Sequence, residues 1–201
     1  MDKKILETLG PSSMVIPVNV SDFPVIPPPE AGSEIEEADL KAVMVQMSTP
    51  VTSPSLSHIY DVSFLDLYNV YLDSKGITFN ESYYQQLFDS CIPLIMKKKA
   101  IYARQRPEQT AARYGIKLPV YRTETSSSPS YPSGHAMLAY MFGNLLKFQF
   151  PEHEDDIMNI SELICQSRID HGLHFNSDII FGRMLGKQIA DKILESQYPE
   201  D

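Results

Sequence analysis

Apolar positions along this chain recur at helical spacing and seldom alternate. Ile35, Leu40, Val43, Met44 and Met47 follow Ser33-x-x-Glu36, a capping-box pattern, and predict a helix over about 33–48. Ser63-x-x-Asp66 opens a short helix that stops before Ser74-Lys75-Gly76. Thr78-x-x-Glu81 caps a long helix running to about Arg104, with Pro93 as a kink point. Three more helical stretches are predicted over about 134–149, 155–171 and 177–197. β-Branched pieces such as Val15–Val20 are short and never alternate over a useful length. The fold class is therefore all-α, a single-domain helical bundle over 33–201. Residues 1–32 end in Pro27-Pro28-Pro29 and read as an extended Pro-rich arm, because proline removes donors and restricts its predecessor. Residues 49–58 read as a Ser/Pro loop. Residues 105–132 read as irregular, with Pro107, Gly115, Pro119, Pro129, Pro132 and three consecutive serines. So long a segment without regular structure inside a small domain is usually functional.

Composition narrows the class. At 201 residues and 43% hydrophobic content, the chain holds enough apolar material for one real core. It has no run of 18 apolar residues. The most apolar window, Ala136–Phe150, is broken by Gly143, Asn144 and Lys147, so no membrane span is expected. No apolar run follows Lys3 and Lys4 as a secretory signal would require. A cytoplasmic chain is expected, or a periplasmic one if a longer precursor was processed. Cys91 and Cys165 lie in helical stretches and are expected as buried thiols. The net charge of −9 is uneven: residues 97–122 hold eight basic residues against one acid, Glu108. An acidic protein with one basic stretch is not expected to bind a nucleic-acid polymer. It is expected to hold something small and anionic at one place.

Three short motifs could build that place. The first is Lys99-x6-Arg106-Pro107, the second Pro132-Ser133-Gly134-His135, and the third Ser167-Arg168-x5-His174-x3-Asp178. A phosphate dianion needs donors converging from several directions. Lys99 supplies a point charge, and Arg106 and Arg168 supply planar forks. Ser133, Gly134 and His135 sit where a loop enters a helix, so their N–H groups carry the positive end of the helix dipole. His174 and Asp178 are four apart and would share a helix face. The carboxylate would hold one ring N–H and leave the other nitrogen free to attack. His171 beside Asp170 invites a metal, but no further ligands stand at a recognisable spacing, so no metal is assigned. Tyr102, Tyr121, Tyr131 and Phe175 flank the motifs and are candidates for holding an organic group.

In these motifs the chain resembles the type-2 phosphatidic acid phosphatase superfamily. That group embraces class A acid phosphatases, lipid-phosphate phosphatases, glucose-6-phosphatase and vanadium haloperoxidases. The segment Val25–Leu40 (VIPPPEAGSEIEEADL) is similar to the Pro-rich start of the soluble class A enzymes. The resemblance implies a soluble, metal-independent acid phosphatase without a cofactor, acting on small phosphorylated molecules. It implies that His174 attacks phosphorus to form a phosphohistidine, with Asp178 orienting it. His135 would protonate the leaving oxygen and later activate water. Lys99, Arg106, Ser133, Gly134 and Arg168 would bind the phosphate, and vanadate would bind as its mimic. A homodimer is expected from the same resemblance. The alternative it offers is a vanadium-dependent haloperoxidase using the same anion site; a non-enzymatic phosphate-binding module would normally have lost the nucleophile.

Overall fold

In a computed structural model, the residues described are Phe23 and 26–198. The arm assigned to residues 1–32 thus lies largely outside the described residues. Among them there are eight α-helices and no strand: α1 Glu34–Ser48, α2 Ser57–Val62, α3 Phe64–Ser74, α4 Glu81–Tyr102, α5 Pro107–Arg113, α6 Gly134–Gln149, α7 Glu154–Asp170 and α8 Asn176–Gln197. The all-α expectation holds.

The helix α6 is central because it is apolar nearly all round. Met137, Ala139, Met141, Phe142 and Leu146 are fully buried, as a helix without a polar face must be. It packs most extensively on α8 and next on α7. The α8 contact is backbone-close: a Cβ on Gly186 would fall 2.1 Å from the Met137 carbonyl oxygen, and one on Gly182 2.6 Å from that of Ser133. These two glycines let the N-terminal halves of α6 and α8 lie side by side. At that end the Ser133 N–H donates to the Asp178 carbonyl at 3.1 Å. A second apolar cluster joins Leu40 and Val43 of α1 to Ala111, Ile169, Phe175 and Ile179. Ion pairs pin α1 there: Glu36 to Arg113 at 2.7 Å and Asp39 to Arg104 at 3.1 Å. Both cysteines are free and buried.

Some expectations need correcting. The long helix starts three residues after Thr78, and Asn80 rather than Thr78 caps it, accepting from the Tyr83 N–H. Residues 105–132 are not irregular throughout. Pro107 opens the helix α5, since proline is at home in a first turn, and residues 124–127 form a 3₁₀ turn. The helix α2 emerges from the end of the expected Ser/Pro loop.

Candidate active site

Lys99 sits in the last turn of α4, which Ala103 ends in a left-handed conformation at φ 46°. The helix ends there, and Arg106 lines the same cavity as Lys99 while Arg104 reaches Asp39 and Asp178. The Lys99 ammonium is buried and donates to the carbonyls of Pro129 and, at 3.4 Å, Ser130. Burial, reinforced by the neighbouring Arg106 charge, pushes it down to about 7. The Arg106 fork is fixed by carbonyls, Nε to Ser128 at 2.8 Å and one terminal nitrogen to Leu173 at 2.8 Å. That terminal nitrogen lies 3.5 Å from His174 Nε2. Arg168, at the end of α7, is 1% exposed; its Nη1 donates to Asp61 at 2.7 Å, while Nη2 has no partner among the described residues. A buried guanidinium donor left unmatched is costly, and an anion would satisfy it.

The first turn of α6 brings Gly134 and His135 to the same cavity. His135 Nε2 lies 2.8 Å from the Asp61 carbonyl, which can only accept, so Nε2 carries the hydrogen. Burial and the Arg168 charge hold His135 well below its ordinary value, even though Asp61 pulls the other way. Ser133 departs from expectation. It is fully buried behind the cavity wall, its N–H is spent on Asp178, and its hydroxyl accepts from the Ala136 N–H as the α6 cap. It holds the cradle without lining it.

His174 and Asp178 come together, but not on one helix face. His174 precedes α8 and lies in the turn after α7, where its N–H reaches the Arg168 carbonyl at 3.3 Å. Asp178 lies in the first turn of α8. Its Oδ2 takes the Phe175 N–H at 2.9 Å, the Ser130 hydroxyl at 2.5 Å and His174 Nδ1 at 3.2 Å. Local capping therefore folds the turn back so that ring and carboxylate meet. Nδ1–H donates, and Nε2 is left with its lone pair beside Arg106. Burial holds His174 neutral despite Asp178, with Arg106 and Lys99 adding to the effect.

A cavity of about 280 Å³ gathers these groups: Lys99, Arg106, Gly134, His135, Arg168 and His174 all line it. Sequence reading missed Asp61 at its floor and the apolar wall formed by Phe64, Phe88, Ile92, Met96 and Leu138. The four aromatic residues expected near the organic group do not line it. Tyr131 stacks on Phe181, Tyr102 packs edge-on against Tyr131, Phe175 carries the Arg104 guanidinium at 3.8 Å, and Tyr121 lies against His171. Asp170 spends its carboxylate on Val51, Thr52 and Gln166, beside the buried His171.

Comparison with known proteins gives the family and the fold. The family model of the PAP2 superfamily matches residues 86–190, which contain all three motifs. No curated protein matches the sequence. Among solved structures the chain is similar to a transmembrane PAP2-type phosphatidylglycerolphosphate phosphatase from Bacillus subtilis. The TM-score is 0.58 and the identity 20%, over 84% of this chain and 90% of that one. Among the described residues no helix is long and apolar enough to cross a membrane.

Proposed function

Because this chain belongs to the PAP2 superfamily and is a phosphatase hydrolase, we propose that it is a soluble phosphomonoesterase that needs no metal or cofactor and works through a phosphohistidine. The observation that carries this reading is the convergence of three cations, Lys99 and Arg168 buried and Arg106 half-buried, one with an unmatched donor, on the cavity that holds the unprotonated His174 nitrogen. Lys99, Arg106, Arg168 and the first N–H groups of α6 neutralise the phosphoryl oxygens, the work a divalent ion does elsewhere. His174 Nε2 attacks phosphorus, the P–O bond to the organic group breaks, and the departing oxygen takes the second proton, on Nδ1, that His135 carries once the bound phosphate dianion offsets the Arg168 charge. Water then attacks the phosphohistidine, gives a proton back to His135 and releases inorganic phosphate. Asp178 stabilises the positive ring formed in the first step. Ser133 contributes as the α6 cap. A homodimer is part of this proposal, and light scattering tests it.

A panel of phosphomonoesters with and without chelator tests the reading. Turnover that survives EDTA and is blocked by vanadate supports it. Turnover lost in EDTA and restored by a divalent ion overturns it. The apolar wall of Phe88, Ile92 and Met96, the last two partly exposed at the cavity, favours a narrower reading in which the ester carries an apolar group. Activity rising with alkyl chain length, and levelled by Ile92→Ser, checks that reading; indifference to chain length removes it.

A further inference from the structure

Asp61 belongs to none of the sequence motifs and lies on α2, outside the matched 86–190 segment. Yet it is buried at the floor of the cavity and touches two of the groups proposed to act there. Its Oδ1 accepts from Arg168 Nη1 at 2.7 Å and lies 3.5 Å from His135 Nε2. Its backbone carbonyl takes the same His135 nitrogen at 2.8 Å. Thr125, from the turn at 124–127, donates its hydroxyl to Oδ1 at 2.6 Å and its N–H to Oδ2 at 3.4 Å.

A carboxylate on the floor of an anion cavity opposes anion binding by simple repulsion. Its presence therefore needs a reason other than affinity. We propose that Asp61 is a positioning residue for the acid step: it holds His135 with Nδ1 toward the departing oxygen and fixes the plane of the Arg168 fork. This rests on the reading of the site as a phosphatase.

Three features support the assignment. First, the Asp61 carbonyl fixes the hydrogen on Nε2, so the proton that comes and goes is the one on Nδ1. Second, His135 shares its cavity with two cations, Arg168 of α7 and Lys99 of α4, and packs against the Phe64 ring with 5.6 Å between ring centroids. Both cations disfavour the imidazolium. Asp61 is the carboxylate at hand to offset them. Third, tying Arg168 Nη1 to Asp61 fixes which edge of the guanidinium remains for a phosphate oxygen, and that edge bears the unpartnered Nη2.

Replacing Asp61 with asparagine tests this, because the amide keeps the size and removes the charge. An acid matters most when the leaving oxygen is strongly basic. Asp61→Asn is expected to lower kcat on an alkyl phosphate roughly 10- to 100-fold, part of the range a general acid supplies, while p-nitrophenyl phosphate loses only a few-fold. Inorganic phosphate should inhibit the variant at least as well as the wild type, since the amide oxygen still accepts from Arg168 Nη1 and keeps the fork in place while a repelling charge is gone. A purely structural role would weaken phosphate binding and lower both rates together. Equal losses on the two esters, wild-type rates, or weakened phosphate inhibition each overturn the proposal. Should Asp61→Asn fail to fold, Thr125→Val carries the test: it removes one clamp on the carboxylate from an exposed position, and the same selectivity is expected at about three- to tenfold. Should the wild type hydrolyse neither ester, the phosphatase reading falls while Asp61 is still read separately. NMR titration should then show His135 in Asp61→Asn gaining its proton at lower pH than in the wild type, with phosphate bound at least as tightly. An unmoved titration overturns the positioning role.

Discussion

Four hydrogen bonds converge on the buried Asp178 carboxylate, three on Oδ2 and one on Oδ1 from Arg104 at 2.6 Å. Burial alone would raise its pKa. The His174 hydrogen bond and the Arg104 charge outweigh burial and hold it at about 2, so Asp178 is anionic at every working pH. An amide cannot serve all four donors, because its NH₂ must face one of them. Asp178→Asn is therefore expected to lower kcat by about 10²–10⁴-fold, the range for loss of an orienting carboxylate. It should also lower the melting temperature, since Arg104 keeps only Asp39 as a charged partner. Steady-state kinetics and thermal unfolding of the same preparation check both parts. A second residue prediction concerns His171, fully buried with neither ring nitrogen hydrogen-bonded among the described residues. Burial and then the Arg168 charge hold its pKa below the usual value. A depressed pKa means that the unfolded chain takes up the proton first, so this ring's contribution to stability is present above about pH 6.5 and is lost as the pH falls through its folded value. His171→Phe should raise the melting temperature more at pH 5 than at pH 8. An equal change at both pH values would show that the ring does not titrate on unfolding.

At the scale of elements, the site depends on two helix N-termini held edge to edge. The helix α6 presents Gly134 and His135, α8 presents Asp178, and Gly182 and Gly186 allow their close approach. Gly186→Val would push a branched side chain into the Met137 carbonyl and force the helices apart. The expected cost is at least the roughly 1–3 kcal/mol of overpacking, together with a loss of turnover larger than the loss of folded protein, because the cradle is displaced with the helices. Denaturant unfolding and active-site titration with vanadate measure the two separately. The helices α6, α7 and α8 were legible in the sequence to within a residue or so, because each combines a start signal with a long apolar period. Their glycine contact was not, since close approach leaves no mark on a periodicity. The helix α5 was hidden because seven residues opening on proline resemble a loop. The histidine–carboxylate pair was legible as a pair, but its geometry was not: spacing of four suggested a helix face where capping does the work. Asp61 could not be read at all. Its partners His135 and Arg168 lie 74 and 107 residues away, and a single aspartate on a six-residue helix carries no pattern.

Across the whole molecule, the basic stretch recognised in the sequence divides into two populations. Lys99 and Arg106 turn to the cavity and Arg104 to the Asp39 and Asp178 carboxylates, whereas Arg113 and Arg122 pair with Glu36 and Glu108 nearer the surface. The buried Lys99 charge lowers the stability of the ligand-free fold and, in the proposed reading, favours a phosphate complex, so the two stabilities are expected to respond oppositely to pH. Lys99 shows the sign. Burial lowers its pKa from 10.5 to about 7, so the unfolded chain binds this proton more tightly than the native protein. In the absence of ligand, the penalty is fully present below about pH 7 and fades as the pH rises toward 10.5. Phosphate binding needs the charged form and is favoured below about 7. A ligand at a hundred times its Kd adds about 2.7 kcal/mol, or roughly 5–10 °C of melting temperature for a chain of this size. That phosphate-induced shift should therefore shrink as the pH is taken from 6 to 9, even though inorganic phosphate itself becomes more dianionic over the same range. Lys99→Met should melt higher than the wild type without phosphate at pH 6 and gain little from adding it. Thermal unfolding of both proteins, with and without phosphate across that range, decides the matter. A wild-type shift that grows with pH in parallel with the phosphate dianion would mean that Lys99 stays charged throughout and that the ligand's own titration governs binding.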